Sequence, residues 1–480
     1  MALDQRTRWF ALYVLCLGDL MIVLDATIVN VALPSIRDDL GFTEESLAWV
    51  VNAYLLTFGG FLLLGGRLGD LFGHRRLFLG GIALFTLASL ACGLSTSQGF
   101  LIGARAVQGL GGAVVSAVAL SLLMLLFQEP MERTKAMGFF GFVMAGGGSI
   151  GVLLGGVLTD ALSWHWIFLV NIPVGILVFS LCLPLLPGDR PSGENRGRVD
   201  AWGAVTVTAA LILAVYAIVN GNDKGWLSAQ TLGMLTAALV IFGAFLVIES
   251  RVASPLVPLG IFRKRNVSVA NGVGVLWAAG MFGWFFFAAQ YLGLVLGYDP
   301  LQVGLAFLPA NIIMGAFSLG LSARLVMRYG TRIPIAVGMG LVTFGLLLFA
   351  RAPVDANFWV DVLPAMILLG VGVGMAMNPV LMAAMSDVGP EESGLASGIV
   401  NTGFMMGGAL GLAVLASLAA WKTGGETAAS SLNAGYQLAF VVGGVFSALA
   451  AGLAVTLLRD RPMVPHGEAE RAPALAVETD

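Results

Sequence analysis

Charge is what this chain has least of. Only 11% of its 480 residues are charged and 58% are hydrophobic, with a mean hydropathy of +0.90. Soluble domains carry roughly 25% charged residues, so a soluble enzyme or a nucleic-acid binder is excluded and the solvent is largely lipid. The net charge of −3 argues for neither an acidic nor a basic partner. Lysine occurs 4 times, never after a glycine, so the phosphate-cradling GxxxxGK[ST] loop is absent. Nothing here hydrolyses ATP, and energy must come from a gradient or a partner. The 3 cysteines, Cys16, Cys92 and Cys182, lie inside apolar runs, and the 3 histidines are scattered. No disulfide framework or zinc spacing results. Neither metal, cofactor nor enzymatic activity is expected. No small-residue cleavage site follows the first apolar run, which is long and contains acids, so it reads as a retained span.

What is abundant is apolar helix. A spanning helix needs about 20 mostly apolar residues, and fourteen such runs can be marked, the first at 9–31 and the last at 436–458. The breaks are short, so no soluble domain is attached. Of the 25 basic residues, 20 fall in segments on one side if both termini are cytoplasmic, and only Arg37, Lys224, Arg351 and Lys422 fall outside. Positive residues hold loops on the cytoplasmic side, so this asymmetry predicts an even number of spans with both ends inside. Glycine, 64 residues of the chain, is about twice its usual share and lets membrane helices approach closely.

The chain repeats itself. Arg67, Gly73 and Arg75 match Arg324, Gly330 and Arg332 at an offset of 257, and Gly147, Gly151 and Gly155 match Gly403, Gly407 and Gly411 at an offset of 256. Chance among many glycines is the bland alternative. The agreement of two separate features predicts two six-helix bundles, 1–190 and 261–458, joined by a two-helix insert at 191–260 and followed by a cytoplasmic tail at 459–480. Transporters are often built from such repeats, with the substrate site between them.

Three ionisable residues stand deep inside spans: Asp19 and Asp25 in the first and Arg105 in the fourth. A charge at a helix centre costs at least ~2.5–3.5 kcal/mol, so such residues default to functional candidates. Asp25 and Arg105 reach similar depths and could pair. Burial favours a neutral carboxyl whereas a nearby arginine favours the charged one, so together they could poise a proton carrier; a static pair joining two helices is the plain alternative. At about 100° per residue, Asp19 points roughly 120° away from Asp25 and shares a stripe with Asn30. Gln108 shares the face of Arg105 and, with Asn30, is expected to line the substrate cavity. Gly147, Gly151 and Gly155, with Gly156 beside them, offer a face for close helix packing. The basic loop around Gly66, Asp70, Gly73 and Arg75 reads either as a topology anchor or as a gate, in which Asp70 and Arg75, on either side of Gly73, contact each other or a helix end of the opposite half.

Several stretches resemble the major facilitator superfamily, specifically the fourteen-helix drug/proton antiporters of the EmrB/QacA type. They are Leu24-Asp-Ala-Thr-Ile-Val-Asn-Val-Ala-Leu-Pro34, Gly66-Arg-Leu-Gly-Asp-Leu-Phe-Gly-His-Arg-Arg76, Ala104-Arg-Ala-Val-Gln-Gly-Leu-Gly-Gly112, Gly147-Gly-Ser-Ile-Gly-Val-Leu-Leu-Gly-Gly156 and Trp164-His-Trp-Ile-Phe-Leu-Val-Asn-Ile-Pro173. They cluster in the first 175 residues. Val152 stands where proline is usual, Leu71 where a basic residue is usual, and Met327 where the repeat of Asp70 would be.

The resemblance implies an all-α integral membrane protein with the major facilitator fold, two six-helix bundles plus two inserted helices. It implies export of small amphiphilic, drug-like compounds in exchange for protons, by alternating access, from a bacterial cell membrane. It also implies that Asp25 acts in coupling or cation recognition and Arg105 in proton handling; Asp19, by its buried position, is a further coupling candidate. No nucleic acid is expected as a partner, only substrate, protons and lipid, and the chain is expected to act as a monomer. The second half carries no comparable buried charge. It offers Trp277, Met281, Phe285, Asn311, Asn378 and Asn401, of the aromatic, thioether and amide types that line adaptable cavities, though ordinary packing accounts for any single one. A proton-coupled importer of a small metabolite is the alternative.

Overall fold

The computed structural model describes residues 4–127, 129–186, 200–252, 255–317, 321–388 and 393–459. The tail beyond Arg459, most of the basic stretch between the sixth and seventh expected spans, and the side chain of Asp70 lie outside the described residues. The chain is helical throughout: α1 (Gln5–Leu40), α2 (Glu44–Phe72), α3 (His74–Gly93), α4 (Gln98–Leu126), α5 (Pro130–Ala161), α6 (Trp166–Leu169), α7 (Asn171–Leu185), α8 (Ala201–Val219), α9 (Gly221–Lys224), α10 (Ala229–Arg251), α11 (Arg265–Gln290), α12 (Pro300–Ala316), α13 (Ser322–Tyr329), α14 (Arg332–Phe349), α15 (Leu363–Met385), α16 (Ser393–Thr423) and α17 (Ala429–Leu457). In lipid every backbone N–H and C=O must be satisfied within the segment, which leaves the helix as the spanning form for such runs.

Local chemistry sets the boundaries. Thr43 caps α2 in a reciprocal box with Ser46, and Asp299 caps α12 in the same way with Gln302. Gly73 (φ 98°) separates α2 from α3, and Gly330 (φ 74°) separates α13 from α14. Only glycine takes such angles without strain.

Among the described residues, twelve helical stretches are long and apolar enough to cross a bilayer, against fourteen expected. α6 and α7 together form one of them, and two shorter apolar helices, Ile150–Ala161 and Pro300–Ala316, fall below that length. At 1.5 Å per residue, the 17 residues of α12 reach about 26 Å, just short of a ~30 Å hydrocarbon core.

The sequence repeat has a counterpart in space. Arg75 donates to the carbonyl of Leu183 at the end of α7, and Arg332 donates to that of Val455 at the end of α17. The two glycine ladders also find equivalent neighbours. Gly147, Gly151 and Gly155 of α5 face α1, where a Cβ on Gly155 would sit 2.7 Å from the Ile28 carbonyl. Gly407 and Gly411 of α16 face α11, with a Cβ on Gly407 2.7 Å from Cα of Val275. Between these groups of helices, α8 and α10 pack on each other, and α8 also lies against α2 and α16.

One residue beyond the first ladder, the direction changes. A Cβ on Gly156 would approach the Pro300 carbonyl of α12 to 2.7 Å, so α5 makes backbone-close contact with α1 on one face and α12 on another. Gly155→Leu is therefore expected to disrupt the α1–α5 seam and lower the thermal stability of purified protein, since overpacking costs typically 1–3 kcal/mol. Gly156→Ala should leave that seam intact and loosen only α5 from α12. Melting in detergent separates the two, and a Gly155→Leu protein that melts like wild type would contradict the seam.

Candidate functional site

The site grows from the clearing of charge out of the spans. Asp25 is 0% exposed and Arg105 1% exposed. Asp25 Oδ2 accepts from Arg105 Nη1 at 2.5 Å. The other oxygen, Oδ1, accepts from Gln108 Nε2 at 2.7 Å and from Asn171 Nδ2 at 2.9 Å. Arg105 spends its remaining donors locally: Nε reaches the Val50 carbonyl at 3.0 Å, and Nη1 also reaches Gln108 Oε1 at 2.7 Å. Its guanidinium carbon lies 4.4 Å from the centre of the Tyr54 ring and 5.5 Å from that of Phe168, close enough for cation–π attraction. Ser89 of α3 closes the cluster by accepting from Gln108 at 2.8 Å while donating to the Phe85 carbonyl.

Five helices thus meet at one carboxylate: α1 supplies Asp25, α2 the Val50 carbonyl, α3 Ser89, α4 Arg105 and Gln108, and α7 Asn171. A buried ion pair is stable only when its remaining lone pairs and protons are also satisfied, and here the carboxamides of Gln108 and Asn171 do that. The Trp164–Pro173 stretch delivers Asn171. Trp164 Nε1 donates to Asp39 Oδ2 at 2.9 Å, tying this lead-in to the end of α1. Neutral polar residues in apolar runs give little signal in sequence, so Asn171 and Ser89 were not among the expected site residues. Gln108, grouped with the substrate cavity, lies inside the ion-pair network with 0% exposure.

Asp19 stands apart, as its 120° offset requires. It is 1% exposed, and Oδ1 accepts from Ser116 Oγ at 2.5 Å. Oδ2 has no hydrogen-bond partner among the described residues. Both oxygens of Asp25 accept hydrogen bonds, whereas among the described residues only one oxygen of Asp19 does.

The remaining expected residues are spread more widely. Asn30 bonds back to the carbonyls of Ala26 and Thr27 on its own helix. Trp277 sits edge-on to Phe404 at 5.0 Å, and Phe285 stacks on Phe307 at 5.5 Å. Trp277 Nε1 and Asn311 Nδ2 are buried without partners among the described residues. Met281 and Asn378 are half-buried and Asn401 is exposed. At the loop, Gly66 and Gly73 are half-buried. A contact from Arg75 was expected to Asp70 or to a helix end of the opposite half. Arg75 donates to the Leu183 carbonyl of α7, and the side chain of Asp70 lies outside the described residues.

A bundle of long apolar helices that hides a salt bridge in its interior is a multi-span membrane protein. It belongs to the Major Facilitator Superfamily, whose profile matches residues 15–412. The chain is similar to the puromycin resistance protein pur8 of Streptomyces alboniger, 38% identical over 457 residues that cover 95% of this chain and 90% of that protein. It is also similar to the cephamycin export protein CmcT of Amycolatopsis lactamdurans, 40% identical over 441 residues, 92% of this chain and 90% of that one. Among solved structures, the nucleoside transporter NupG superposes with a TM-score of 0.67 at 13% identity, over 94% of this chain and all of that one. That likeness speaks to the fold alone.

The geometry makes a direct energetic prediction. Removing one partner of a buried pair costs about 3–5 kcal/mol, because the other charge is left unpaired. Asp25→Asn and Arg105→Gln should each lower the melting temperature, and the double variant should melt above the Asp25→Asn single. A double variant whose loss equals the sum of the singles would show that the two side chains do not interact.

Proposed function

We propose that this chain exports amphiphilic, antibiotic-like compounds from a bacterial cell in exchange for protons, by alternating access. The observation that carries the coupling is the pair of buried acids on α1, one of them held by the buried Arg105 of α4. The direction of transport is supported by relatives named for puromycin resistance and cephamycin export. In this reading Asp25 and Arg105 form the coupling switch and Asp19 meets protons or cationic substrate. Asn30, Trp277, Met281, Phe285, Asn311, Asn378 and Asn401 line the substrate path, while Gly66, Asp70, Gly73 and Arg75 form the cytoplasmic gating loop. α5 and α12 complete fourteen spans in the drug/proton antiporter branch, with two six-helix halves, an insert at 191–260 and both termini in the cytoplasm of a monomer. One proton crossing 100 mV is worth about 2.3 kcal/mol, enough for a substrate gradient of about fortyfold at 1.4 kcal/mol per decade.

Inside-out vesicles with an acidified lumen test this. Adding puromycin should release lumenal protons as the drug accumulates, and Asp25→Asn should abolish both while the protein still inserts. Puromycin uptake that proceeds at the wild-type rate in Asp25→Asn would remove the coupling role. Proton and drug moving in the same direction would favour the importer instead.

Asp19 gives a sharper expectation. A buried anion stabilises a bound cation strongly in a low-dielectric site, whereas a neutral compound gains nothing. Asp19→Asn should weaken export of a cationic substrate by about tenfold or more, roughly 1.4 kcal/mol, and spare a neutral one measured in the same vesicles. Equal loss of both would assign Asp19 to coupling, and no loss of either would make it structural.

A further inference from the structure

The two inserted helices have no part in the site so far, yet the turn between them touches both flanking groups of helices. Asn222 lies in α9. Its Nδ2 donates to the Ser417 carbonyl of α16 at 2.7 Å, to Ser417 Oγ at 3.2 Å and to Glu45 Oε1 of α2 at 3.2 Å. Its Oδ1 accepts from Trp226 Nε1 at 3.0 Å. Because an indole nitrogen can only donate, Trp226 fixes which way the carboxamide points and turns its NH2 toward α2 and α16. The indole also braces the turn itself, since a Cβ on Gly221 would come within 3.0 Å of the ring. Ser417 is only 2% exposed, so this is a contact made between helices. On the same rim the rings of Trp49 (α2) and Tyr216 (α8) lie 6.4 Å apart.

We propose that Asn222 is a positioning residue through which the insert latches α2 to α16 and favours the state in which this rim is closed. The latch rests on the alternating-access reading, in which the rim must part once per cycle. The first turn of α2 and the last turns of α16 belong to different members of the internal repeat. They are therefore the ends that separate when the bundle rocks open on this side. A single carboxamide bonded to both resists that separation from a segment that need not itself move.

Spin labels test this by pulsed distance measurement. Thr96→Cys and Asp355→Cys place labels at exposed positions, and Cys16, Cys92 and Cys182 are buried. Both sites lie on the latched rim. Gln98, next to the first label, bonds to the carbonyls of Leu40 and Gly41 just before α2. Ala352, near the second, accepts from Asn433 and Gln437 in the first turns of α17. In unliganded protein, Asn222→Asp keeps the shape and the acceptor for Trp226 but loses the donor. It should raise the ratio of long to short distances about fivefold, on the order of one lost hydrogen bond. Adding Glu45→Gln supplies a donor from the α2 side and should return part of that shift, which a merely misfolded turn would not allow. Unchanged distances in Asn222→Asp would overturn the latch, as would a shift that Glu45→Gln leaves untouched. Puromycin export is read separately on the wild type. Failure to export would sink the transport reading, while the distance shift would still uphold the latch.

Discussion

The constraint on which the rest of this molecule turns is that a carboxylate and a guanidinium sit side by side, buried between helices. Asp25 and Arg105 are tolerable there because both carboxylate oxygens accept hydrogen bonds and the guanidinium donates to Asp25, Gln108 and the Val50 carbonyl. That requirement fixes the relative depth of α1 and α4, sets the register of α7 through Asn171, and calls Ser89 of α3 into the same cluster. Close approach of five helices is then possible only where side chains are small. Glycine accordingly recurs around the site, as in Gly109 of α4, where a Cβ would come within 2.5 Å of the Tyr54 carbonyl. Packing and electrostatics are one arrangement here.

The parts of this arrangement that sequence alone reveals are those that violate their surroundings. Asp19, Asp25 and Arg105 stand out because a charged residue in an apolar run has no cheap explanation. The repeat is legible because glycine and arginine recur at one offset in loops and helix faces alike. What stays hidden is of two kinds. Asn171, Ser89 and Gln108 are neutral, so nothing in a hydropathy pattern marks them as partners of a charge. The neighbours of the glycine ladders are equally silent: a small face says that a helix comes near, and only coordinates say that it is α1 for one ladder and α11 for the other. The span count was read from apolar length, and α12 falls where length alone decides least.

The two members of the repeat share a scaffold and differ in chemistry. Both have an arginine tied to a distant helix-end carbonyl and a glycine face packed on the first helix of its own group. Among the described residues, only the first holds buried carboxylates. The second presents aromatic rings and buried N–H groups without partners, at Trp277, Trp284 and Asn311. Under the proposed function that difference would divide the labour between a titratable wall and an adaptable apolar wall, because a surface that must release varied guests is poorly served by fixed charges.

The confinement of in-span charge to one member of the repeat has an electrical consequence. A membrane potential exerts force only on net charge within the field. The Asp25–Arg105 pair is neutral as a unit, so the voltage has almost no grip on it at rest. A proton added to that cluster changes its net charge by one, and the pull then falls wholly on the first group of helices. The second group, carrying no buried charge among the described residues, would under the proposed function be a mechanical counterweight. In such a machine the electric field would drive one half of the bundle, and the other half would follow only through the helix seams that join them.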